Sequence, residues 1–580
     1  MRVIKTFVAV AFMSLLGCSD ANLDFESQLQ AEYDRRVNSS PLAMSMRGDR
    51  SRNGEWGEFS PAAATTEYQA DLAYRSALLA VDAMSLSTAN KLNLQMALFE
   101  VNDRIEAYEY GSHLLPLTMR EGPQTSYDIA SYLRFETEQD FIDWVERLET
   151  IDQMLNGYEA LMREGMSRNL VQPRVVMERV VHQLDLLLAG SAEDNAFYRP
   201  FESEVLDQYA SAATIRARAQ AAISDHVIPA FADFKAFFVN EYLPACRDQP
   251  GVGGNAEGLA YYQYLAKHFT TTSLTPAQIH QIGLDEVARL RGEMHEVMEE
   301  VGFEGELLAF FDFLRNDPQF YYSTSEELLQ AYLATSKRLD PELVSLFGRL
   351  PRTPYGVKAI PDEIAPDTTT AYYMQPAVDG SRAGYYYVNL YAPESRPIWE
   401  IEVLSVHEAV PGHHLQIALA QEQESLPPFR REMGIGAFVE GWGLYSERLG
   451  YEMGLYQDPY SKFGQLTYDM WRSIRLVVDT GIHAMGWSRE EAIEYFKQNA
   501  PKSELDIVNE IDRYIGWPGQ ALGYKIGQLK ILELRAEAER RLGEEFDIRR
   551  FHDALLENGS IPLDVLETRM LEWMEEENGR

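Results

Sequence analysis

The sequence predicts a mainly α-helical protein with one small β-sheet set into it near residues 350–395. Two observations carry that expectation. Over most of the 580 residues, apolar side chains recur at three- and four-residue steps, the period of amphipathic helices. The stretch "RTPYGVKAIPDEIAPDTTTAYYMQPAVDGSRAGYYYVNLYAP" (352–393) breaks that period and is rich in Pro, Thr, Tyr and Val, as strands and turns are. With 46% hydrophobic residues, a chain of this length can bury a large core. Its 90 acidic against 52 basic residues give a net charge of −38. That field repels nucleic acid and anionic lipid, which excludes nucleic-acid partners, and otherwise reads as a solvated acidic surface.

In "MRVIKTFVAVAFMSLLGCSD", Arg2 and Lys5 precede an apolar run, Phe7 to Leu16, that is too short to cross a bilayer permanently. Leu15-Leu16-Gly17-Cys18 resembles a bacterial lipobox. The resemblance implies a lipoprotein signal peptide over 1–17, a lipid on Cys18 and, with Ser19 next, sorting to the outer membrane facing the periplasm. Residues 18–64, polar and short of periodicity, are then expected to be lipid anchor and tether, so the membrane is met through the N-terminal lipid only. With Cys18 acylated, Cys246 is left alone and reads as an inert thiol.

A helical N-terminal lobe is expected over 65–349, in segments such as "TEYQADLAYRSALLAVDAM" and "TIRARAQAAISDHVIPAFADFKAFFVNEYLPAC". Thr275 and Pro276 are a good N-cap and first helical residue. His280 and His295, on that helix, read as surface or hydrogen-bonded histidines. The second lobe, 350–580, starts with the sheet, whose best strand is "GYYYVNLY" and whose turn is Asp379-Gly380. A helix follows with Pro397 at its first position, striped by Trp399, Val403, Val406 and Val410.

That helix carries "SVHEAVPGHHLQ", Ser405 to Gln416, with three of the chain's eleven histidines. Zinc-peptidase helices offer two histidines four apart and a glutamate beside the first as general base. Here the fourth residue after His407 is Pro411, which ligates nothing and lacks the N–H a continuous helix needs. Looping out residues at Pro411-Gly412 would return His413 to about the place of the fourth residue. His413 is thus the expected partner of His407, with His414 as its substitute and Glu408 as the base. Glu440 in "GIGAFVEGWGLYSERLG" sits among apolar residues, where a lone carboxylate is costly, so it is the candidate third ligand. Glu447, on the same face, can orient a ligand. Arg472, Arg475, Asp479 and His483 in "WRSIRLVVDTGIHAMGW", and Tyr514, Gln520, Tyr524 and Lys525 further on, are other polar groups in apolar surroundings.

Together "HEAVPGHHLQ", "FVEGWGLYSE", "RLVVDTGIH" and "WPGQALGYKIGQLK" resemble the bacterial family known as domain of unknown function 885, over roughly 65–575. Its H-E-x-x-x-G-H-x-x-Q pattern is matched by His407, Glu408, Gly412, His413 and Gln416. The resemblance implies a largely helical lipoprotein related to zinc peptidases with a glutamate ligand.

The combined expectation is a lipid-anchored zinc metallopeptidase with a cleft between helical lobes. His407, His413 and Glu440 would bind Zn²⁺, and Glu408 would be the base. By similarity to helical zinc peptidases, Tyr524 and His483 would stabilise the oxyanion. The strand of Asn389 would pair with an extended peptide substrate, and Arg472 or Arg475 would hold a substrate carboxylate. His414, Glu447, Gln416 and Asp479 are expected in supporting or substitute roles. The alternatives are a metal-dependent amidase acting on cell-wall or small-molecule amides and a zinc-binding envelope lipoprotein without catalysis.

Overall fold

Capped amphipathic helices make up most of the molecule. The computed structural model describes residues 21–255, 257–361, 365, 369–377, 380 and 382–579; the signal segment, Cys18 and Asp379 lie outside the described residues. Helices that position the site are α1 (Ala21–Ser39), α2 (Thr88–Glu109), α3 (Gly258–Thr270), α4 (Pro276–Glu300) and α5 (Ser325–Leu339) in the first half. In the second half they are α6 (Ile401–Glu408), α7 (His413–Gln421), α8 (Gly436–Leu449), α9 (Pro459–Ala484), α10 (Glu504–Gly516) and α11 (Gly523–Leu542). The start of α4 is a capping box: the Thr275 side chain accepts from the Gln278 N–H, the Gln278 side chain accepts from the Thr275 N–H, and Pro276 follows the cap. Among the described residues no helix is long and apolar enough to cross a membrane.

The sheet lies where the sequence places it. Strands β1 (Tyr355–Ala359), β2 (Ala371–Met374) and β3 (Gly384–Val388) run in the order β1-β3-β2, with β1 parallel and β2 antiparallel to β3. One face packs on α5, where the buried Tyr386 meets Tyr332 edge-on at 5.8 Å. On the other, Tyr372 and Tyr387 stack at 4.9 Å. The predicted helix at Pro397 begins one turn late: 398–400 is a 3₁₀ turn, and α6 runs from Ile401.

Two findings revise the domain picture. The main hydrophobic core runs without a break across residue 350, from Trp56 to Met574. Helix α4, expected in the first lobe, packs along α9 of the second. Buried charges tie these helices: Lys525 of α11 bridges Asp469 of α9 and, at 2.8 Å, Glu286 of α4. The expected tether is, from Ala21 on, folded structure. Phe25 and Leu29 of α1 are buried in a second core with Leu94, Ala97, Val101 and Ile105 of α2. Arg47 pairs with Glu432, and the Tyr33 hydroxyl donates to the same carboxylate.

Candidate metal centre

Helix α6 ends at Glu408. Ala409 and Gly412 leave helical geometry, with ψ of −107° and −130°, and α7 restarts at His413. The looped-out residues are held at both sides: the Gly412 N–H donates to Val406 O (2.9 Å) and the His414 N–H to Ala409 O (3.1 Å). From α8, Trp442 Nε1 donates to Pro411 O at 2.8 Å. On a straight helix a residue six places on points roughly 240° away around the axis. With the break, the imidazoles of His407 and His413 meet at right angles, centroids 4.7 Å apart.

Glu440 comes to them from α8. Its Oε2 lies 3.5 Å from His413 Nε2 and 3.7 Å from His407 Nε2. These spacings are longer than good hydrogen bonds. They are close to the edge of a tetrahedron of donors about 2.0–2.1 Å from a zinc ion, which is about 3.3 Å. Among the described residues these three form the one cluster of His, Cys or acidic ligand atoms that could hold a metal ion, all within 4.8 Å of one another.

Glycine spacing on α8 makes the approach possible. A Cβ at 443 would stand 2.8 Å from His407 Cε1, so Gly443 gives the imidazole its seat. A Cβ at 441 would meet the Gly527 backbone at 2.6 Å, so Gly441 lets α11 cross closely. Behind His407, Nδ1 is 2.8 Å from Oε1 of the fully buried Glu447. Arg472 Nη2 stands 3.6 Å from that same oxygen. This chain holds a proton on Nδ1 and leaves Nε2 to face Glu440.

The electrostatics suit a cation. Burial pushes the His407 imidazole down, but Glu440 and Glu447 outweigh it and hold its pKa at about 9. Burial pushes the Glu440 carboxyl up, but His407 and His413 outweigh it and hold it well below the usual range. Both partners therefore shift toward their charged forms, with the His407 proton next to the carboxylate.

The other candidates divide. Glu408 is half-buried beside His407, and among the described residues its carboxylate has no hydrogen-bond partner. Tyr524 adjoins Glu440: burial first, and then the Glu440 charge, push its hydroxyl pKa up. His414 turns away, with Nδ1 on the Tyr373 hydroxyl (2.9 Å) and Nε2 on Thr353 O (3.0 Å), so it is no substitute ligand here. Gln416 is buried on α7.

Three expectations need correction. His483 does not face the site: its Nδ1 accepts from the Val252 N–H (3.0 Å) and its Nε2 donates to Tyr514 O (2.9 Å), so neither nitrogen is left for an oxyanion. Its neighbour Asp479 accepts from the Tyr262 hydroxyl and from the Gly519 N–H (3.1 Å), which anchors the turn leading to Gln520 and Tyr524. Asn389 is fully buried and donates to Ala365 O (2.7 Å), and β3, the strand before it, is paired on both sides, so neither offers an edge to a peptide. Arg472 faces the Tyr468 ring and Glu447 rather than open space.

Arg475 belongs to a cluster that the sequence does not reveal. With Arg513 of α10 and Arg120 of the first half it surrounds Glu510, and its guanidinium lies 4.5 Å from the Tyr524 ring centre. A cavity of about 670 Å³ reaches Glu440, Gln520 and Gly523, and residues of α1 and α2 form its far wall.

A family model described as "Bacterial protein of unknown function (DUF885)" matches residues 41–570, and the chain belongs to that family. No curated protein matches it. It is similar to "the putative lipoprotein from Colwellia psychrerythraea", at 30% identity and a TM-score of 0.89, covering 96% of this chain and all of that one. It also shares its fold with "a putative lipoprotein of unknown function from Shewanella oneidensis", at 19% identity and a TM-score of 0.72, over 94% of this chain and 99% of that one.

Proposed function

For this member of the bacterial DUF885 family, we propose a zinc-dependent peptidase. The observation that carries the reading is the convergence of His407, His413 and Glu440 donor atoms at metal-ligand spacing beside the unpaired carboxylate of Glu408. Two imidazoles and one carboxylate are the donor set of a catalytic zinc site with a position left open. The bound ion would supply Lewis acidity and make water nucleophilic near neutral pH.

The protein's own groups do the rest. Glu408 takes a proton from the water that attacks the scissile carbonyl. As the C–O bond forms and the C–N bond breaks, it returns that proton to the departing amine. Tyr524, kept protonated by its buried setting, donates its O–H to the carbonyl oxygen as negative charge builds there. An extended peptide pairs with the outer edge of β2, which pairs with no further strand among the described residues, and not with β3. Tyr373 of β2 reaches His414 and lies 6.4 Å, ring to ring, from His413.

The resemblance of Leu15–Cys18 to a lipobox, and the description of both similar structures as a "putative lipoprotein", support an envelope protein held by an N-terminal lipid; Ser19 after the cysteine favours the outer membrane, facing the periplasm. The described part of α1 already includes Ala21, three positions after Cys18, so the folded body would sit close to the bilayer.

The test is hydrolysis of a peptide library by zinc-loaded protein and by Glu408→Gln. The variant should keep its zinc and melting temperature and lose about 10²–10⁴ in kcat/KM. A Glu408→Gln protein as active as the parent would remove the assignment.

A further inference from the structure

The arginine cluster beside Tyr524 has more positive charge than its fold uses. Among the described residues Glu510 is the one carboxylate paired with it, with Arg513 Nη2 at 2.8 Å, Arg475 Nη2 at 3.2 Å and Arg120 Nη2 at 3.6 Å. The Tyr514 hydroxyl donates to Glu510 (2.7 Å) and accepts from Arg475 Nε (2.9 Å) and Trp471 Nε1 (3.0 Å). Three guanidiniums thus share one carboxylate, inside a protein of net charge −38. The Arg475 and Arg513 side chains are only 6% and 7% exposed, and Arg475 Nη1 is buried with no partner among the described residues. Lys525 and Lys502, equally buried, each have a carboxylate at hand. Asp479 also acts on Arg513, but burial pushes its carboxyl up to about 7, so it is only partly charged near neutral pH and offsets the excess in part. Buried cations without counter-charge are costly, and an unpaired buried donor calls for an explanation.

The position supplies one. Arg475 lies against the Tyr524 ring, and Tyr524 feels the charge of Glu440. Arg513 Nη1 bonds Gln520, which lines the cavity that reaches Glu440. Arg120 brings a side chain 43% exposed from the first half of the chain to the same place. The cluster is therefore one side chain removed from the metal ligands, on the Tyr524 side, with donors suited to a planar anion.

We propose that Arg475, Arg513 and Arg120 form a subsite for a substrate carboxylate, and that this is the free C-terminus of the peptide. The proposal rests on the peptidase reading and narrows it to removal of short C-terminal fragments. The excess positive charge is then compensated when substrate is bound.

The test is binding to zinc-loaded Glu408→Gln, so that turnover does not enter. Two pairs of fluorescent peptides serve as probes: one sequence ending in a free acid or an amide, and the same sequence with an internal Glu or Gln. The free acid should bind at least about tenfold more tightly than the amide, the range of a hydrogen bond to a charged group, with little difference in the internal pair. Adding Arg120→Gln, a partly exposed position that should tolerate the change, should bring the acid-to-amide ratio toward one. Discrimination in the internal pair alone would put the carboxylate within the peptide and overturn the C-terminal assignment. No discrimination in either pair, or no binding, would overturn the subsite. A preference for the free acid with no cleavage by the parent protein would leave the subsite standing and remove the peptidase reading.

Discussion

Two buried polar clusters in this protein look alike in sequence and differ in structure. One is His407, His413 and Glu440; the other is His483 with Asp479. Both set histidine and carboxylate among apolar residues on helices. In the second, every ring nitrogen and both carboxylate oxygens meet a protein group: Val252 and Tyr514 for the histidine, Tyr262 and Gly519 for the aspartate. In the first, the donor atoms point at one another across gaps of 3.5–3.7 Å, and among the described residues only His407 Nδ1 has a close partner behind it. A buried polar group must be satisfied, so a cluster closed by protein atoms is a pin, and one left open to its centre is a place for an ion.

The contrast can be sharpened at its support. Glu447→Gln keeps the shape of the residue behind His407 but removes its charge. Zinc affinity, read by chelator competition, should fall about 10–100-fold, as for other outer partners of ligating histidines. Unchanged affinity would make Glu447 a packing residue.

The closed cluster should respond in stability and not in metal. His483→Gln should bind a full equivalent of zinc and lose roughly 1–3 kcal/mol of folding free energy through its two broken bonds. It should also change the acid response. Burial holds the His483 pKa at about 3, whereas in an unfolded chain it is about 6.5. Below about pH 6.5 the unfolded chain takes up a proton that the fold refuses, so stability falls as pH drops toward 3, by up to about 1.4 kcal/mol per unit for this group. Urea unfolding at pH 7 and pH 5 should show a shallower acid loss in the variant. His552 and His414, held by burial at about 3 and about 4, should still contribute to the slope in the variant.

Much of this was legible in residues. The Pro411-Gly412 pair forbids a continuous helix, and the structure resolves the conflict by looping out 409–412. The isolated Glu440 signalled a buried charge in need of partners. What failed did so for stated physical reasons. Asp479 and His483 share a helical face as a ligand pair would, but spacing says nothing of what lies opposite; here it is the Tyr262 hydroxyl of α3, the Tyr514 carbonyl of α10 and the N–H groups of Val252 and Gly519. Strand order is equally silent in sequence, so the strand before Asn389 turned out central rather than at an edge. Phe25, Leu29, Tyr33 and Val37 do recur every four residues, but so narrow a stripe in polar surroundings passes for tether until α2 is there to cover it. Arg120 lies in no motif and meets Glu510 only through the fold, 390 positions away (510 − 120).

The central claim is that His407, His413 and Glu440 hold a metal, and the most direct measurement is zinc titration of metal-stripped protein, by competition with a chelating dye. The parent and His414→Ala should each take up one equivalent tightly. His413→Ala and Glu440→Gln should lose at least about a hundredfold in affinity, since each removes or weakens one of three ligands. Tight binding retained by both of those variants, or lost in His414→Ala alone, would contradict the account.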